Sequence, residues 1–386
     1  MKNKWKISFL ISVFLNLILI FFLDPSHRAF VRVKFFELLG FGKSGFQLKI
    51  NDSLLITEFK PQTRLQTHRS EIKGPVVPFI ESHGHLGKYF GTKPDEISAL
   101  FDEYKIQYFF SLNIKHGKDF KEFTEEYKDP RIYHFVTFNW NRIKEEDGFK
   151  KMHEDLIQDF ENGARGVKLW KNFGLYLTDR EGKRIQMNDP RLTPLFAECA
   201  RRNIVVSIHT ADPEAFFYPI DETNERYEEL LKHPEWSFEP LGISFDTVMK
   251  EREEMFQQNP ETKFVALHFG EFAHRLDRAE ALLVNHPNVS LDIAARIDEL
   301  GRHPYSVRKF FLKWQDRILF GTDGPPDRAK MEIYARFLET DDEYFDYYPR
   351  NSKRKGFWKI HGIFLPSEVL EKIYYRNAMR LFSLKN

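Results

Sequence analysis

The sequence predicts a (β/α)8 barrel, an α/β fold in which eight parallel strands alternate with helices. From residue 76 onward, short runs rich in Ile, Val, Phe and Leu alternate with longer segments of helical periodicity. There are eight such runs, which is the number of strands in this barrel. Several of the runs end in a histidine, a lysine or an aspartate, as expected for a site at the C-terminal end of barrel strands.

The predicted strands are Val76–Ile80, Gln107–Leu112, Ile132–Phe138, Gly166–Trp170, Ile204–Ile208, Lys263–Leu267, Val289–Ile293 and Arg317–Phe320. The predicted helices are Pro94–Tyr104, Asp147–Glu161, Leu192–Arg201, Phe245–Gln257, Arg275–Val284, Tyr305–Lys313 and Arg328–Leu338. Residues 118–127 are less clearly helical. The alternative fold is an open doubly wound sheet, but no Gly-x-Gly-x-x-Gly motif follows any of these strands.

The N-terminal residues 1–23 differ from the rest of the chain. Residues 1–6 are basic, and residues 7–23 are apolar apart from Ser8, Ser12 and Asn16. A helix needs roughly 17 to 20 apolar residues to span a bilayer, so this segment is either a transmembrane anchor or a signal peptide. The poor cleavage site at residues 23–27 favours an uncleaved anchor.

The lysines before the apolar segment favour a cytoplasmic N-terminus, although basic residues after it weaken the bias. We therefore expect a membrane-anchored protein whose catalytic domain lies outside the cytoplasm. Residues 24–73 form a predicted linker and β-hairpin, with strands at Phe46–Ile50 and Leu54–Phe59. The barrel is predicted to occupy residues 74–386.

Composition narrows the possible partners and ligands. The 386 residues carry a formal net charge of +1, which argues against nucleic acid as a partner and leaves a small-molecule substrate. Cys199 is the single cysteine, so no intramolecular disulfide can form. Any metal ion must therefore be held by histidines and carboxylates.

His83 and His85 lie at the end of the first predicted strand. In an extended segment two residues at this spacing point to the same side, and neutral imidazoles suit zinc and similar ions. Other predicted strands end at or near Lys168, His209, His268 and Asp323. In a barrel these distant residues meet at one rim.

Each of these residues also has a structural interpretation when it is taken alone. His209 and His268 could be hydrogen-bonded core histidines, Asp323 could be a turn residue, and Lys168 could be solvated. Near the seventh strand, Asp292 and Arg296 could bind an anionic substrate or form surface pairs. The shared placement at strand ends favours a metal site.

The motifs that carry these residues resemble those of the metal-dependent amidohydrolase superfamily. The match is to its amidohydrolase-related (amidohydrolase 2) branch, which includes decarboxylases, and it extends from about residue 60 to the end. One departure is Glu81, at a position where aspartate is common in that family. The motifs are Glu81-Ser82-His83-Gly84-His85, Val206-Ser207-Ile208-His209-Thr210, Ala266-Leu267-His268-Phe269-Gly270 and Leu319-Phe320-Gly321-Thr322-Asp323-Gly324.

The resemblance implies a barrel with one or two divalent ions. It implies that His83, His85 and His209 ligate the metal and that Asp323 ligates it or acts as base. His268 would be a second ligand or would polarise the substrate. We expect one Zn2+, with Mn2+ or Fe2+ as alternatives, and a second ion if Lys168 is carbamylated. Relatives of this kind are often homodimers.

We expect a hydrolase that attacks an amide, ester or lactone carbonyl. An ion with an open position can lower the pKa of bound water to about 7, and Asp323 could then move protons as base and acid. The first alternative is a non-oxidative decarboxylase that uses the same site. The second is a barrel that binds ligands and has lost catalysis.

Overall fold

The computed structural model describes residues 53–55, 58–59, 61–349 and 355–384. The chain divides into two compact units, residues 1–62 and residues 63–386, and the second holds the barrel. The predicted N-terminal anchor and the first hairpin strand lie outside the described residues. Within the predicted second hairpin strand, the backbone N of Glu58 donates to the carbonyl of Leu55, so the described part is a turn. Among the described helices, none has the length and apolar character needed to cross a membrane.

Eight parallel strands form one nearly closed sheet in sequence order, which confirms the predicted barrel. All eight predicted strands are present. Seven differ from the prediction by at most two residues at their ends, whereas the first, predicted at Val76–Ile80, begins three and ends four residues later. The strands, named β1 to β8, are Phe79–Gly84, Ile106–Ser111, Ile132–Val136, Gly166–Leu169, Val205–Ile208, Phe264–Ala266, Val289–Asp292 and Ile318–Leu319. Most of these strands are buried along their whole length, which explains their continuous apolar sequences.

Helices cover the outside of the barrel. The longer ones are Ile97–Tyr104, Gly117–Glu126, Gly148–Glu161, Thr193–Arg201, Phe245–Gln258, Leu276–Asn285, Pro304–Trp314 and Arg328–Glu339. Short helices are Tyr227–Lys232, Ile297–Leu300, Ser367–Glu371 and Asn377–Leu381, and Lys372–Arg376 is a π-helical segment. The segment near 118–127 is therefore a helix. Its neighbour Gly148–Glu161 buries Met152, Leu156 and Phe160 at four-residue spacing, the pattern that predicted it.

The C-terminal segment fills the inside of the barrel at the N-terminal end of the strands. Phe382 packs against Phe110 of β2, with ring centroids 4.4 Å apart, and against Phe135 of β3 at 6.0 Å. The side chain of Asn377 donates to the carbonyls of Gln315 and Ile318 at 2.7 and 2.8 Å. The end of the chain is thereby tied to β8 and closes the face opposite the strand ends that carry the predicted site.

The insertion at residues 212–238 packs against the segment that follows β7. Arg226 is buried and donates to Asp298 at 2.9 Å and to Glu299 at 2.7 Å. Trp236 stacks on His233 with ring centroids 4.0 Å apart. These contacts make the insertion a packing element at the C-terminal end of the barrel.

A substitution of Phe110 tests the packing of the inner core. Phe110→Ala should lower the free energy of unfolding by about 3–5 kcal/mol, because it leaves a cavity between β2 and the C-terminal segment. Val284→Ala is the control, since Val284 is 60% exposed and its truncation should change stability by less than about 0.5 kcal/mol. Urea denaturation measures both, and equal losses in the two variants would contradict the assigned packing.

Candidate metal centre

The site lies where β1 meets the segment after β8. Three backbone hydrogen bonds join them: Ser82 N donates to Phe320 O at 3.1 Å, Asp323 N to His83 O at 2.9 Å, and His85 N to Gly324 O at 3.0 Å. The approach is so close that a Cβ on Gly321 would lie 2.8 Å from the Cβ of His83. Glycine is therefore required in the Gly-Thr-Asp-Gly turn for a reason of packing.

His83, His85 and Asp323 converge at this junction. The Oδ1 atom of Asp323 lies 3.3 Å from His83 Nε2 and 3.1 Å from His85 Nε2. One ligand atom from each of the three residues can be chosen so that all lie within 4.8 Å of one another. His83 is the fifth residue of β1, so the strand extends further than the sequence predicted and His83 lies within it.

The hydrogen bonds of two imidazoles leave a nitrogen lone pair facing the site. His83 Nδ1 donates to Asp292 Oδ2 at 2.6 Å, and His268 Nδ1 donates to Ala294 O at 2.9 Å. A neutral imidazole has one N–H, so the Nε2 of each ring is an acceptor. His268 Nε2 is buried and has no hydrogen-bond partner among the described residues. A buried imidazole lone pair with its other nitrogen held by an acceptor fits a metal ligand.

His209 lies beside this group but is oriented differently. Its ring centroid is 4.1 Å from that of His268, which in turn is 4.8 Å from that of His83. His209 Nε2 lies 3.1 Å from the carbonyl of Ala211 and 3.6 Å from Asp212 Oδ1. The structure therefore brings His209 to the site, although it is not among the three residues whose ligand atoms cluster most tightly.

Lys168, at the third position of β4, is buried inside the barrel and is not the solvated lysine of the alternative interpretation. Its Nζ atom lies 3.3 Å from His83 Nε2. Burial lowers its pKa to about 8, against the opposing effect of the Asp323 and Asp292 carboxylates. It is thus a nitrogen donor with little access to water, in contact with a predicted ligand.

Electrostatics favour neutral imidazoles beside an ionised carboxylate. Burial lowers the pKa of His209 to about 4 and holds the pKa of His268 well below its usual value. Burial also lowers the pKa of His85, despite the nearby Asp323. Burial opposes ionisation of Asp323, but the imidazoles of His83 and His85 hold its pKa well below the usual range. These are the protonation states in which histidine and aspartate bind metal ions.

Two carboxylates whose role was not predicted from the sequence organise the site. Glu81 Oε1 accepts from the backbone N atoms of His83 and Thr322, each at 2.9 Å, and so joins the two ligand-bearing segments. Asp292, considered earlier as an anion binder, instead accepts from His83 and from the backbone of His268. Their positions within β1 and at the end of β7 were the available signals.

Arg296 does not form the surface pair considered for it in the sequence. It is buried, and its Nη2 atom donates to Glu271 Oε2 at 2.5 Å. The Glu271 carboxyl in turn accepts from the backbone N of Ala211 at 3.4 Å. Arg296 therefore joins the segment after β7 to those after β5 and β6, and its charge is matched inside the protein.

Comparison with known proteins adds family and fold information. A family model described as amidohydrolase matches residues 135–384, a range that includes Lys168, His209, His268 and Asp323. A solved structure of 2,6-dihydroxybenzoate decarboxylase complexed with 2,6-dihydroxybenzoate aligns with a TM-score of 0.50 and 15% identity, over 82% of this chain and 100% of that one. The structure of 2,6-dihydroxybenzoate decarboxylase from Rhizobium aligns with a TM-score of 0.48 and 14% identity, over 79% of this chain and 98% of that one. Among curated protein sequences, no match to this chain is found.

Substitutions of Glu81 test how much its hydrogen bonds stabilise the junction between β1 and the segment after β8. Glu81→Ala should lower the free energy of unfolding by about 1–3 kcal/mol, because two buried backbone N–H groups lose their acceptor. Glu81→Gln retains one carbonyl oxygen at this place and should lose less. Urea denaturation compares the three proteins, and a Glu81→Ala variant as stable as wild type would refute the bridging role.

Proposed function

The chain belongs to the amidohydrolase family, and we propose that it is a metal-dependent hydrolase that attacks the carbonyl of a small amide, ester or lactone. The observation that carries the proposal is the convergence of His83, His85 and Asp323 ligand atoms within 4.8 Å. The structural match to a decarboxylase, at 15% identity, supports the barrel fold alone.

His83, His85 and Asp323 would hold the ion, together with His268 or His209. The unpaired Nε2 of His268 favours a ligand role for this residue over polarisation of the substrate, because an acceptor nitrogen cannot donate to a carbonyl oxygen. We expect one Zn2+, with Mn2+ or Fe2+ as alternatives. A bound divalent ion would supply Lewis acidity and a more acidic water.

Side chains of the protein would carry out proton transfer and stabilise the charge that develops on the substrate. Asp323 lies against both β1 histidines and is held ionised, so it can accept a proton from water and return it to the leaving group. Lys168, whose Nζ atom lies 3.3 Å from His83 Nε2, can donate to the negative charge that develops on the substrate oxygen. Burial of Lys168 strengthens its interaction with such a charge.

Metal content and product analysis test the proposal. The purified full-length protein should contain about one divalent ion per chain, and a panel of lactones, amides and aromatic acids should include a hydrolysed substrate. Release of carbon dioxide from an acid would instead favour a decarboxylase on the same site. Absence of zinc, manganese and iron would favour a binding protein without catalysis. Light scattering of the same preparation tests the expected homodimer.

Two variants test the ligand assignment. His83→Ala and Asp323→Asn should abolish activity and weaken Zn2+ binding by more than the ~100-fold that loss of an outer partner produces, while the circular dichroism spectrum is retained. His68→Ala, at an exposed histidine, is the control and should bind Zn2+ as wild type does. Full activity in either site variant would refute its assigned role.

We also propose that residues 1–23 anchor the protein in a membrane, with the barrel outside the cytoplasm. The support is the apolar run at residues 7–23 after a basic start. The full chain should sediment with membranes and resist extraction at alkaline pH, whereas a variant lacking residues 2–23 should be released. Release of the full chain at high salt alone would rule out a spanning anchor.

A further inference from the structure

Asp292 is the last residue of β7 and is completely buried at the centre of the site. Its two carboxylate oxygens have different partners on different strands. Oδ2 lies 2.6 Å from Nδ1 of His83 in β1, and Oδ1 lies 2.6 Å from the backbone N of His268, two residues after the end of β6. One side chain therefore contacts two of the imidazole residues that converge here.

The contact with His83 determines which nitrogen of that ring is free. A carboxylate is only an acceptor, so Nδ1 must carry the ring proton and Nε2 must carry the lone pair. Nε2 is the atom that lies 3.3 Å from Asp323 Oδ1. The opposite tautomer would place an N–H where a metal ion needs a lone pair.

The contact with His268 holds a turn of unfavourable backbone geometry. His268 and Phe269 have φ values of 55° and 58°, in the left-handed region that costs non-glycine residues about 1–3 kcal/mol each. The Asp292 carboxylate accepts the backbone N–H of His268 inside this turn. In the same conformation the ring donates from Nδ1 to Ala294 O and leaves Nε2 unpaired.

We propose that Asp292 is a positioning residue that sets the tautomer of His83 and fixes the turn of His268, so that both present a lone pair to one ion. This inference rests on the proposed metal centre. Asp292 itself touches neither substrate nor metal in this arrangement and acts through the two imidazoles.

Asp292→Asn is the matched test because asparagine has the same shape but one oxygen and one NH2 group. It can accept from His83 or from His268, and its NH2 group then faces the other donor. Apparent Zn2+ affinity should fall 10- to 100-fold, as for other outer partners of metal-binding histidines. Competition with a chromophoric chelator measures it on the full-length protein after removal of metal, and Asp277→Asn, at an exposed aspartate, is the control.

A spectroscopic readout separates positioning from general stability, and its decisive observation is made on the wild-type protein. In wild-type metal-free protein with 15N-labelled histidine, the His83 signal, assigned with a His83→Gln variant, should show the proton on Nδ1. In Asp292→Asn a signal with the proton on Nε2 should appear. A wild-type signal with the proton on Nε2 would overturn the inference.

The two proposals fail in different ways. If wild type binds no Zn2+, Mn2+ or Fe2+, the proposed function fails, and the inference that depends on it falls as well. If wild type binds Zn2+ and Asp292→Asn binds it equally tightly, the metal centre stands and the role of Asp292 is refuted.

Discussion

The arrangement of the site depends on how the first strand of the barrel is joined to the last. Backbone hydrogen bonds from Ser82, His85 and Asp323 cross this junction, and Glu81 adds a side-chain bridge. These bonds fix the positions of two imidazoles relative to one carboxylate before any ligand is considered. Closure of the barrel and assembly of the candidate metal centre are thus the same structural event.

Burial then determines the chemistry of the assembled groups. Removing imidazoles from water favours their neutral form, and the hydrogen bond between His85 and Asp323 favours the ionised form of the carboxyl group. His209 and Asp323 show the two effects, since burial lowers the pKa of the first and adjacent imidazoles lower that of the second. The barrel therefore holds these imidazoles and this carboxylate in the protonation states that suit a cation. The hydrophobic interior at the other end of the strands keeps the barrel, and so these side chains, in place.

Much of the fold could be predicted because buried parallel strands leave a local signature. The apolar runs at β4 and β5, and the helical spacing of Met152 and Leu156, are readable without tertiary information. The convergence of His83 and Asp323 followed from the fold. The double role of Asp292 could not be predicted, because it depends on which oxygen faces which donor across three strands. The same holds for the orientation of His209, which is set by the start of the insertion.

The position of the C-terminal segment inside the barrel affects folding during synthesis. The barrel interior is completed by Phe382, and β8 is tied to Asn377, so the core stays unfinished until these residues have emerged from the ribosome. His85 and Asp323 are 238 positions apart, a stretch that takes roughly 10 to 50 s to translate. The candidate metal centre therefore forms late in biogenesis, and a nascent chain exposes aromatic strands throughout that interval.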